Sequence, residues 1–355
     1  MEECETARAQ ARGSGVVVGG AGRLRDTLRH SHADHRPVHA LTFDVEEWFH
    51  AHNLNVARTG WSALPSRLDR PMDTILRLLD EYGTRATFFV LGWVAQRRPE
   101  IVRRIHEAGH EIASHGFGHE ALSGMTRDRF RADVLQSRDC LAELTGRRVR
   151  GYRAPRYGVD SESHWALDEL VDLGFEYESS IYPVRSPHGV YGVPDAPTEP
   201  YRVRPALMEF PLPVLRILGR RVPVATGAYL RLWPFAATRA AFRQYHRAGS
   251  PVVVNIHPWE LDPDQPRCGV GFRTRMAHYT HLATTERKLE MLLAAYSFAP
   301  LGAILDAIAD PRSAPARGLI GVGAGADVVV PALDRTAASA GGPAARSEST
   351  KVPLS

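Results

Sequence analysis

Residues 85–116, RATFFVLGWVAQRRPEIVRRIHEAGHEIASHG, decide the fold class of this chain. The run opens with apolar and β-branched residues that stop at Gly92, which predicts a buried strand. A helix is predicted from Pro99 to Gly109, because proline favours the first helical turn and glycine favours the position after the last. Residues 110–116 then return to a strand pattern. This order predicts two parallel strands joined by a crossover helix.

The same alternation extends on both sides of this unit. Further strands are predicted at residues 39–45, 150–155 and 175–183, and further helices at residues 71–83, 126–146 and 161–174. The proline-rich segment 184–250 breaks the alternation and predicts an elaborated or antiparallel insertion. The chain is therefore expected to have an α/β fold in which parallel strands are wrapped by helices.

Composition bounds the domain organisation of the 355-residue chain. Residues 1–36 mix Arg, Gly, Ser and His without a period and are expected to be a disordered leader. Residues 37–311 are the expected folded domain, of a size typical of α/β barrels. Residues 312–355 turn to Ala, Gly, Ser and Pro and are expected to be a disordered tail.

Charge and hydropathy argue against a nucleic-acid partner and against a membrane-spanning segment. The formal net charge of +4 comes from scattered arginines, whereas a nucleic-acid partner would call for one concentrated basic face. No apolar run reaches the ~18 residues of a membrane span, and the N-terminus lacks the basic n-region of a signal peptide. A cytoplasmic protein without stable membrane insertion is expected.

Charged and imidazole side chains follow four of the predicted strands. They are Asp44 and Glu46, His115 and His119, Arg153, and His257. In parallel α/β folds, chemistry collects at the carboxyl ends of the strands. We therefore expect these six side chains to meet at one face of the sheet.

The histidine pair suggests a metal site. His115 and His119 are four residues apart, and Gly116 and Gly118 permit a tight loop between them. A carboxylate from another strand would complete three protein ligands and leave one position for water, which is the pattern of catalytic zinc. The pair also fits a chance occurrence in a chain with 16 histidines, and the acids of the first strand also fit a solvated turn.

The remaining candidates supply proton transfer and charge stabilisation. Either Asp44 or Glu46 is able to hold the metal, while the other carboxylate takes a proton from water. The Arg153 guanidinium is suited to hold Asp44 ionised, and the amide after Pro155, on Arg156, is suited to stabilise an oxyanion. His257 suits a general acid, because its pKa lies near neutrality. Each also fits an ordinary structural role.

Taken in order, these residues resemble the polysaccharide deacetylases of the NodB-homology, or carbohydrate esterase 4, type. TFDVE (42–46) resembles the first family motif, SHGFGH (114–119) the second, RAPRYG (153–158) the third and VVVNIHPWE (252–260) the last. The fourth motif is least clear, and YESSIYP (177–183) stands in its place. The resemblance implies a distorted (β/α)7-type barrel.

Longer segments resemble the exopolysaccharide-locus subfamily, which is PEP-CTERM-associated and contains a DUF3473 domain. They are DVEEWFH, YGVPDAP, MEFPLPVLRILGR, HPWELDPDQPR and HYTHLATTERKLEMLL. The subfamily-specific part is expected to begin at about residue 184. The resemblance implies an acetylated amino-sugar polysaccharide or oligosaccharide as the partner.

The resemblance also implies roles for individual residues. A divalent ion, with zinc expected, would be held by Glu46, His115 and His119. Asp44 would act as the base, Arg153 would orient Asp44, and His257 would act as the acid. Arg156, Tyr157 and Trp259 would contact the oxyanion or the substrate. Two departures from the family pattern stand out. Val45 separates two acids that are usually adjacent, which moves the ligand role to Glu46, and Arg156 replaces an aromatic residue.

The activity that follows is hydrolytic N-deacetylation of N-acetylhexosamine units in an exopolysaccharide or its precursor, with release of acetate. Two alternatives use the same residues differently. A related carbon–nitrogen hydrolase would act on a non-sugar amide such as a cyclic ureide. A non-catalytic protein would bind glycan or act as a scaffold in polysaccharide assembly.

Overall fold

The computed structural model describes residues 38–185 and 192–310. The predicted leader (1–36) and tail (312–355) lie outside the described residues, so both remain predictions. None of the helices in the described ranges is long and apolar enough to cross a membrane.

The strands of the described residues form one large curled sheet and one small hairpin. They are β1 (His39–Val45), β2 (Thr87–Val90), β3 (Glu111–Ser114), β4 (Gly151–Tyr152), β5 (Tyr177–Glu178), β6 (Tyr201–Arg204), β7 (Leu207–Glu209), β8 (Val214–Ile217), β9 (Arg220–Pro223), β10 (Val253–Ile256) and β11 (Phe298–Ala299). The order in the large sheet is β10-β1-β2-β3-β4-β5-β7-β6, and β11 also pairs with β1.

All neighbours in this sheet run parallel except β6 and β7. The predicted α/β class with a distorted barrel is confirmed, and the sheet is curled into a half-barrel. Within the segment 192–250, the pair β6–β7 and the separate hairpin β8–β9 are both antiparallel.

Helices cover the outside of the sheet. They are α1 (Asp69–Glu81), α2 (Gly92–Arg97), α3 (Pro99–Glu107), α4 (Arg127–Thr145), α5 (Trp165–Asp172), α6 (Gly227–Leu232), α7 (Phe235–Ala248), α8 (Phe272–Tyr279), α9 (Thr285–Ala295) and α10 (Leu301–Ala309). The α4 ends show why the local sequence forms these boundaries. The Thr126 hydroxyl accepts the Arg129 amide at 3.3 Å, and Gly146 ends the helix at φ 63°.

Alternate residues of the central strands enter different parts of the core. Phe43 and Phe88 stack at 4.9 Å between ring centroids on the face covered by helices. Phe89 points to the opposite face, where it packs with Tyr177. Strands buried on both faces need near-continuous apolar sequence, which is why 86–91 contains only one polar residue. This packing fixes the strand ends that carry the polar side chains.

Candidate metal centre and active site

The site lies at the carboxyl ends of β10, β1, β3 and β4. Strand β1 pairs with β10 on one side and β2 on the other, and β2 continues the sheet to β3 and β4. Because these strands are parallel, the residues that end them or follow them meet at one edge. Asp44 lies in β1, Glu46 follows its last residue, and the other predicted site residues follow the neighbouring strands.

Three of the predicted residues converge on one point. Glu46 Oε1 lies 3.0 Å from His115 Nε2 and 2.9 Å from His119 Nε2. The ligand atoms of the three residues all lie within 4.8 Å of one another. His115 Nδ1 donates to the Arg153 carbonyl oxygen at 2.9 Å, which leaves Nε2 as the ring nitrogen with a free lone pair. The extra methylene of glutamate is therefore long enough to bring Oε1 to both imidazoles.

A tight loop after β3 aims the two histidines at the same point. Gly116 adopts φ 71° and His119 adopts φ 54°. Asp133, on α4, accepts the amides of Phe117 and Gly118 at 2.7 and 2.8 Å. A Cβ on Gly116 would lie 2.8 Å from Asp133 Oδ2. The loop thus needs glycine here both for the left-handed backbone and for the close approach of this carboxylate.

Asp44 stands beside this group and is fully held by hydrogen bonds. Its Oδ1 accepts from Arg153 Nη1 at 2.8 Å, and its Oδ2 accepts from Asn255 Nδ2 at 2.8 Å. His257 Nε2 lies 3.6 Å from Oδ2. Asp44, Glu46 and His257 also bring ligand atoms within 4.8 Å of one another. The set with two histidines fits a metal better, because both Asp44 oxygens already accept hydrogen bonds.

Arg153 is an anchor rather than a surface charge, since it has no exposed area. Its Nη1 donates to Thr42 Oγ1 at 2.8 Å and to Asn255 Oδ1 at 2.7 Å. Its Nε and Nη2 donate to the carbonyl and hydroxyl oxygens of Ser179 at 2.9 and 2.8 Å. The guanidinium carbon also lies 4.1 Å from the ring centroid of Phe89. A buried, fully paired cation of this kind holds a neighbouring carboxylate in one orientation.

His257 is held by a buried acid, Glu260, on the turn that follows β10. His257 Nδ1 lies 3.0 Å from Glu260 Oε2, and Arg231 Nε donates to Glu260 Oε1 at 2.6 Å. Burial alone would lower the pKa of His257, but the hydrogen bond to Glu260 and the charges of Glu46, Glu260 and Asp44 raise it to about 9. The Nε2 edge of the imidazole is left facing Asp44.

The carboxylates of Asp44 and Glu46 are both ionised in this environment. Burial would raise the pKa of Asp44, but the charges of Arg153, His115 and His257 together outweigh burial and lower that pKa. Burial likewise opposes ionisation of Glu46, yet its interactions with His119 and His115 hold its pKa well below the usual range. An ionised carboxylate is the form that takes a proton or binds a cation.

A cavity of about 370 Å³ opens beside His119. Its wall includes His50, Trp61, Arg58 and Arg156. The Arg156 Nε atom is buried and has no hydrogen-bond partner. The cavity therefore offers both apolar surface and unsatisfied donors next to the cluster of Glu46 and the histidines.

The turn after β4 places two further predicted residues. Arg156 and Tyr157 both have left-handed backbones, with φ 61° and 53°, which is costly for residues other than glycine. The Tyr157 hydroxyl accepts from Asn255 Nδ2 at 2.6 Å. Trp259 does not line the cavity, since its ring stacks between His257 and His278 at centroid distances of 5.2 and 4.4 Å.

Sequence reasoning missed three residues that position the others: Asn255, Glu260 and Asp133. Asn255 precedes His257 by two on β10, so strand alternation could have placed both on one face. Glu260 follows His257 by three, which is the spacing of a capping box. No local signal marks Asp133.

Comparisons with known proteins identify two family segments in the chain. Residues 33–177 match the polysaccharide deacetylase family. This part of the chain is a polysaccharide deacetylase domain. Residues 179–306 match a second family, described as a domain of unknown function, DUF3473, as the sequence resemblance implied. The polysaccharide deacetylase segment supplies Asp44, Glu46, His115, His119 and Arg153, whereas the DUF3473 segment supplies Asn255, His257 and Glu260.

Named relatives match this chain over short stretches. A peptidoglycan-N-acetylglucosamine deacetylase of Bacillus cereus is 33% identical over 97 residues, which is 27% of this chain and 35% of that protein. A chitooligosaccharide deacetylase of Sinorhizobium fredii is 33% identical over 108 residues, 26% of this chain and 50% of that protein. The chain thus spans half or less of the length of these two relatives.

A crystal structure from Mycobacterium smegmatis, provisionally assigned as a polysaccharide deacetylase, shares the fold. It superposes with a TM-score of 0.54 at 23% identity and covers 76% of this chain and 89% of that one. At this identity the likeness concerns the fold alone.

Proposed function

We propose that this protein is a metal-dependent hydrolase that removes acetyl groups from N-acetylhexosamine units of an exopolysaccharide or its precursor. The observation that carries the proposal is the convergence of Glu46, His115 and His119 beside an ionised Asp44. Relatives named as deacetylases of peptidoglycan and chitooligosaccharide support an acetylated amino sugar as the substrate. The DUF3473 segment and the resemblance to exopolysaccharide-locus proteins support the exopolysaccharide.

The three converging residues fit a divalent metal ion. Two neutral imidazoles and one carboxylate are the donor set of catalytic zinc sites, and the Arg153 carbonyl fixes the required tautomer of His115. Glu46, His115 and His119 would hold the ion. When bound, such an ion lowers the pKa of a water ligand and polarises a carbonyl oxygen.

Asp44 is the residue best placed to take the proton of the attacking water. Its pKa is low because Arg153 lies against it, so it is available as a base at neutral pH. Arg153 and Asn255 each hold one of its oxygens, which restricts the carboxylate to one orientation. Loss of a general base of this kind typically costs about 10²–10⁴ in rate.

His257 is the residue best placed to return a proton to the leaving amine. Its raised pKa keeps the imidazole protonated below about pH 9. The water oxygen bonds to the acetyl carbon as Asp44 takes one water proton, the C–N bond of the acetamide breaks, the nitrogen takes the His257 proton, and acetic acid and the free amine leave. Asp44 gains one proton and His257 loses one, so the two residues exchange a proton with solvent before the next turnover.

The turn of Arg156 and Tyr157 forms the substrate side of the site. The Arg156 amide is proposed to stabilise the oxyanion, and the Arg156 side chain, which lines the cavity, is proposed to contact the sugar. Tyr157 acts on Asp44 through Asn255, since it contacts the Asn255 amide nitrogen that also donates to Asp44. Trp259 supports the face of His257.

Acetate release from N-acetylchitooligosaccharides tests the proposal. We expect release by the metal-replete protein, loss after treatment with a chelator, and recovery when Zn²⁺ is restored. Binding of the oligosaccharide without acetate release would favour a glycan-binding protein. Hydrolysis of a cyclic ureide without acetate release would favour the related hydrolase.

A further inference from the structure

The β8–β9 hairpin lies outside the large sheet and has an unusual tip. The turn consists of Leu218 and Gly219, with φ 48° and 75°. Two left-handed residues in a two-residue hairpin loop form the type I′ geometry, in which Asn-Gly is the preferred pair. Leucine is disfavoured there by steric contact of its Cβ. Leu218 is also 98% exposed, against 69% for Phe272, the next most exposed large apolar residue of the described ranges.

The hairpin projects from a part of the chain that has no acidic residue. Between residues 210 and 259 there is no Asp or Glu, and there are seven arginines. Arg216 and Arg220 flank the tip, are exposed, and form no ion pair with any described residue. Ile217, opposite Arg220 across the hairpin, is 46% exposed.

The hairpin is anchored at its base. The Val214 amide donates to the Tyr245 hydroxyl at 3.1 Å, and the Arg216 amide donates to Gln244 Oε1 at 2.9 Å. Arg221 Nη1 donates to the carbonyl oxygens of residues 194 and 196, each at 2.7 Å. These contacts hold the strands against α7 and the segment before β6. The apolar tip is therefore presented by an ordered base.

A further surface of the same charge adjoins the hairpin. Helix α7, which contacts β8, contains no acidic residue and exposes Arg239, Arg243 and Arg247. The patch thus combines a small apolar tip with flanking cations, while the acidic residue that acts on this hairpin, Asp195, lies near Arg221 at its base. We name the set Arg216, Ile217, Leu218 and Arg220 the hairpin tip.

We propose that the hairpin tip docks this protein onto an anionic lipid surface, with Ile217 and Leu218 entering the interfacial region and Arg216 and Arg220 contacting lipid phosphates. The surface area of two apolar side chains on a hairpin turn is far smaller than the ~800 Å² that each partner buries in a stable protein interface. A bilayer interface, in contrast, accepts isolated apolar side chains and attracts basic residues close to them.

Vesicle co-sedimentation of the full chain tests this proposal. We expect binding to vesicles of phosphatidylcholine and phosphatidylglycerol at a 3:1 ratio, and much weaker binding to pure phosphatidylcholine. Leu218→Asn should weaken binding about tenfold, because one buried leucine side chain is lost. Combined Arg216→Glu and Arg220→Glu should weaken it by more than about tenfold, because each cation near an anionic surface contributes about fivefold.

Matched controls separate docking from loss of fold. Asparagine tolerates the left-handed backbone, so Leu218→Asn should keep or raise the thermal midpoint. Met291→Asn changes an exposed apolar residue beside Glu290, and Arg103→Glu changes an exposed arginine elsewhere; both should bind vesicles like the wild type. The proposal is overturned if the wild type ignores anionic vesicles, or if Leu218→Asn binds them equally well. It is also overturned if the wild type forms a dimer that Leu218→Asn abolishes, and neither protein binds vesicles.

Discussion

Replacing Glu260 by glutamine tests whether His257 is the general acid. Glu260 lies 3.0 Å from His257 Nδ1, and its hydrogen bond and charge are among the causes that raise the pKa of His257 to about 9. Loss of one opposite charge at this distance lowers a histidine pKa by about one to three units. We therefore expect an apparent pKa near 7 in Glu260→Gln.

The size and sign of the rate change follow from the protonated fraction. A raised pKa keeps His257 protonated through neutral pH, and activity is lost as pH rises through that pKa. At pH 8 a group of pKa about 9 is about nine-tenths protonated, while one of pKa about 7 is about one-tenth protonated. The variant should lose about tenfold in kcat/KM for acetate release at pH 8 and keep most of its activity at pH 6.

The assay is the pH profile of kcat/KM between pH 5 and 10. Glu260 also pairs with buried Arg231, so circular dichroism and metal content are compared first. Glu260→Asp, which restores the negative charge, should move the alkaline limb back towards that of the wild type. A folded, metal-replete Glu260→Gln protein with an unchanged alkaline limb would refute the role of His257.

Other substitutions probe the base, a buried acid pair and the packing of the loop. Asp44→Asn should keep its metal and lose about 10²–10⁴ in kcat, as read from acetate release and elemental analysis; full activity would exclude Asp44 as the base. Burial and the neighbouring Glu178 raise the pKa of Glu209 well above its usual value. The folded protein therefore favours the protonated form of Glu209, and its stability falls as pH rises. Glu209→Gln should therefore melt above the wild type at pH 8, with the difference shrinking towards pH 5; a constant difference would contradict this. A Cβ on Gly92 would lie 2.5 Å from a ring carbon of Phe117 and 3.1 Å from its Cα, so Gly92→Ala should cost about 1–3 kcal/mol in urea unfolding, whereas an unchanged midpoint would show that the loop adapts freely.

Much of the framework was predictable because its signals are local. The predicted strand at 39–45 coincides with β1, and the predicted helix at 126–146 contains α4. Apolar runs, helix-starting residues and terminal glycines each determine the secondary structure of residues only a few positions away in sequence. The same signals located Asp44 and Arg153 at strand ends, so their proximity followed from the parallel topology.

The partners that orient the candidate site were not predictable in this way. Arg153 donates to Asn255, 102 residues away in sequence, and to Ser179, 26 residues away. Only the folded sheet brings these groups together, and no sequence period relates them. The left-handed backbones of Arg156 and Tyr157 were equally hidden, since local preference would place glycine or asparagine there.

The division of the site between two sequence families has a functional consequence. The polysaccharide deacetylase segment carries the proposed ligands and base, but the proposed acid His257 and its partner Glu260 lie in the DUF3473 segment. The β10 strand of the second segment pairs directly with β1 of the first. We infer that the DUF3473 segment completes the proposed site rather than adding a separate domain to it.

The metal content of purified protein tests the central claim most directly. Elemental analysis would compare the wild type, Glu46→Gln and Glu47→Gln, each equilibrated with Zn²⁺ and then freed of unbound ion. Glu47 is a matched control, because it is buried next to Glu46 but accepts the Arg67 amide instead of facing the histidines. We predict about one ion per chain in the wild type and in Glu47→Gln, and loss of the ion in Glu46→Gln. A wild type without metal, or a Glu46→Gln protein with undiminished metal, would contradict the account.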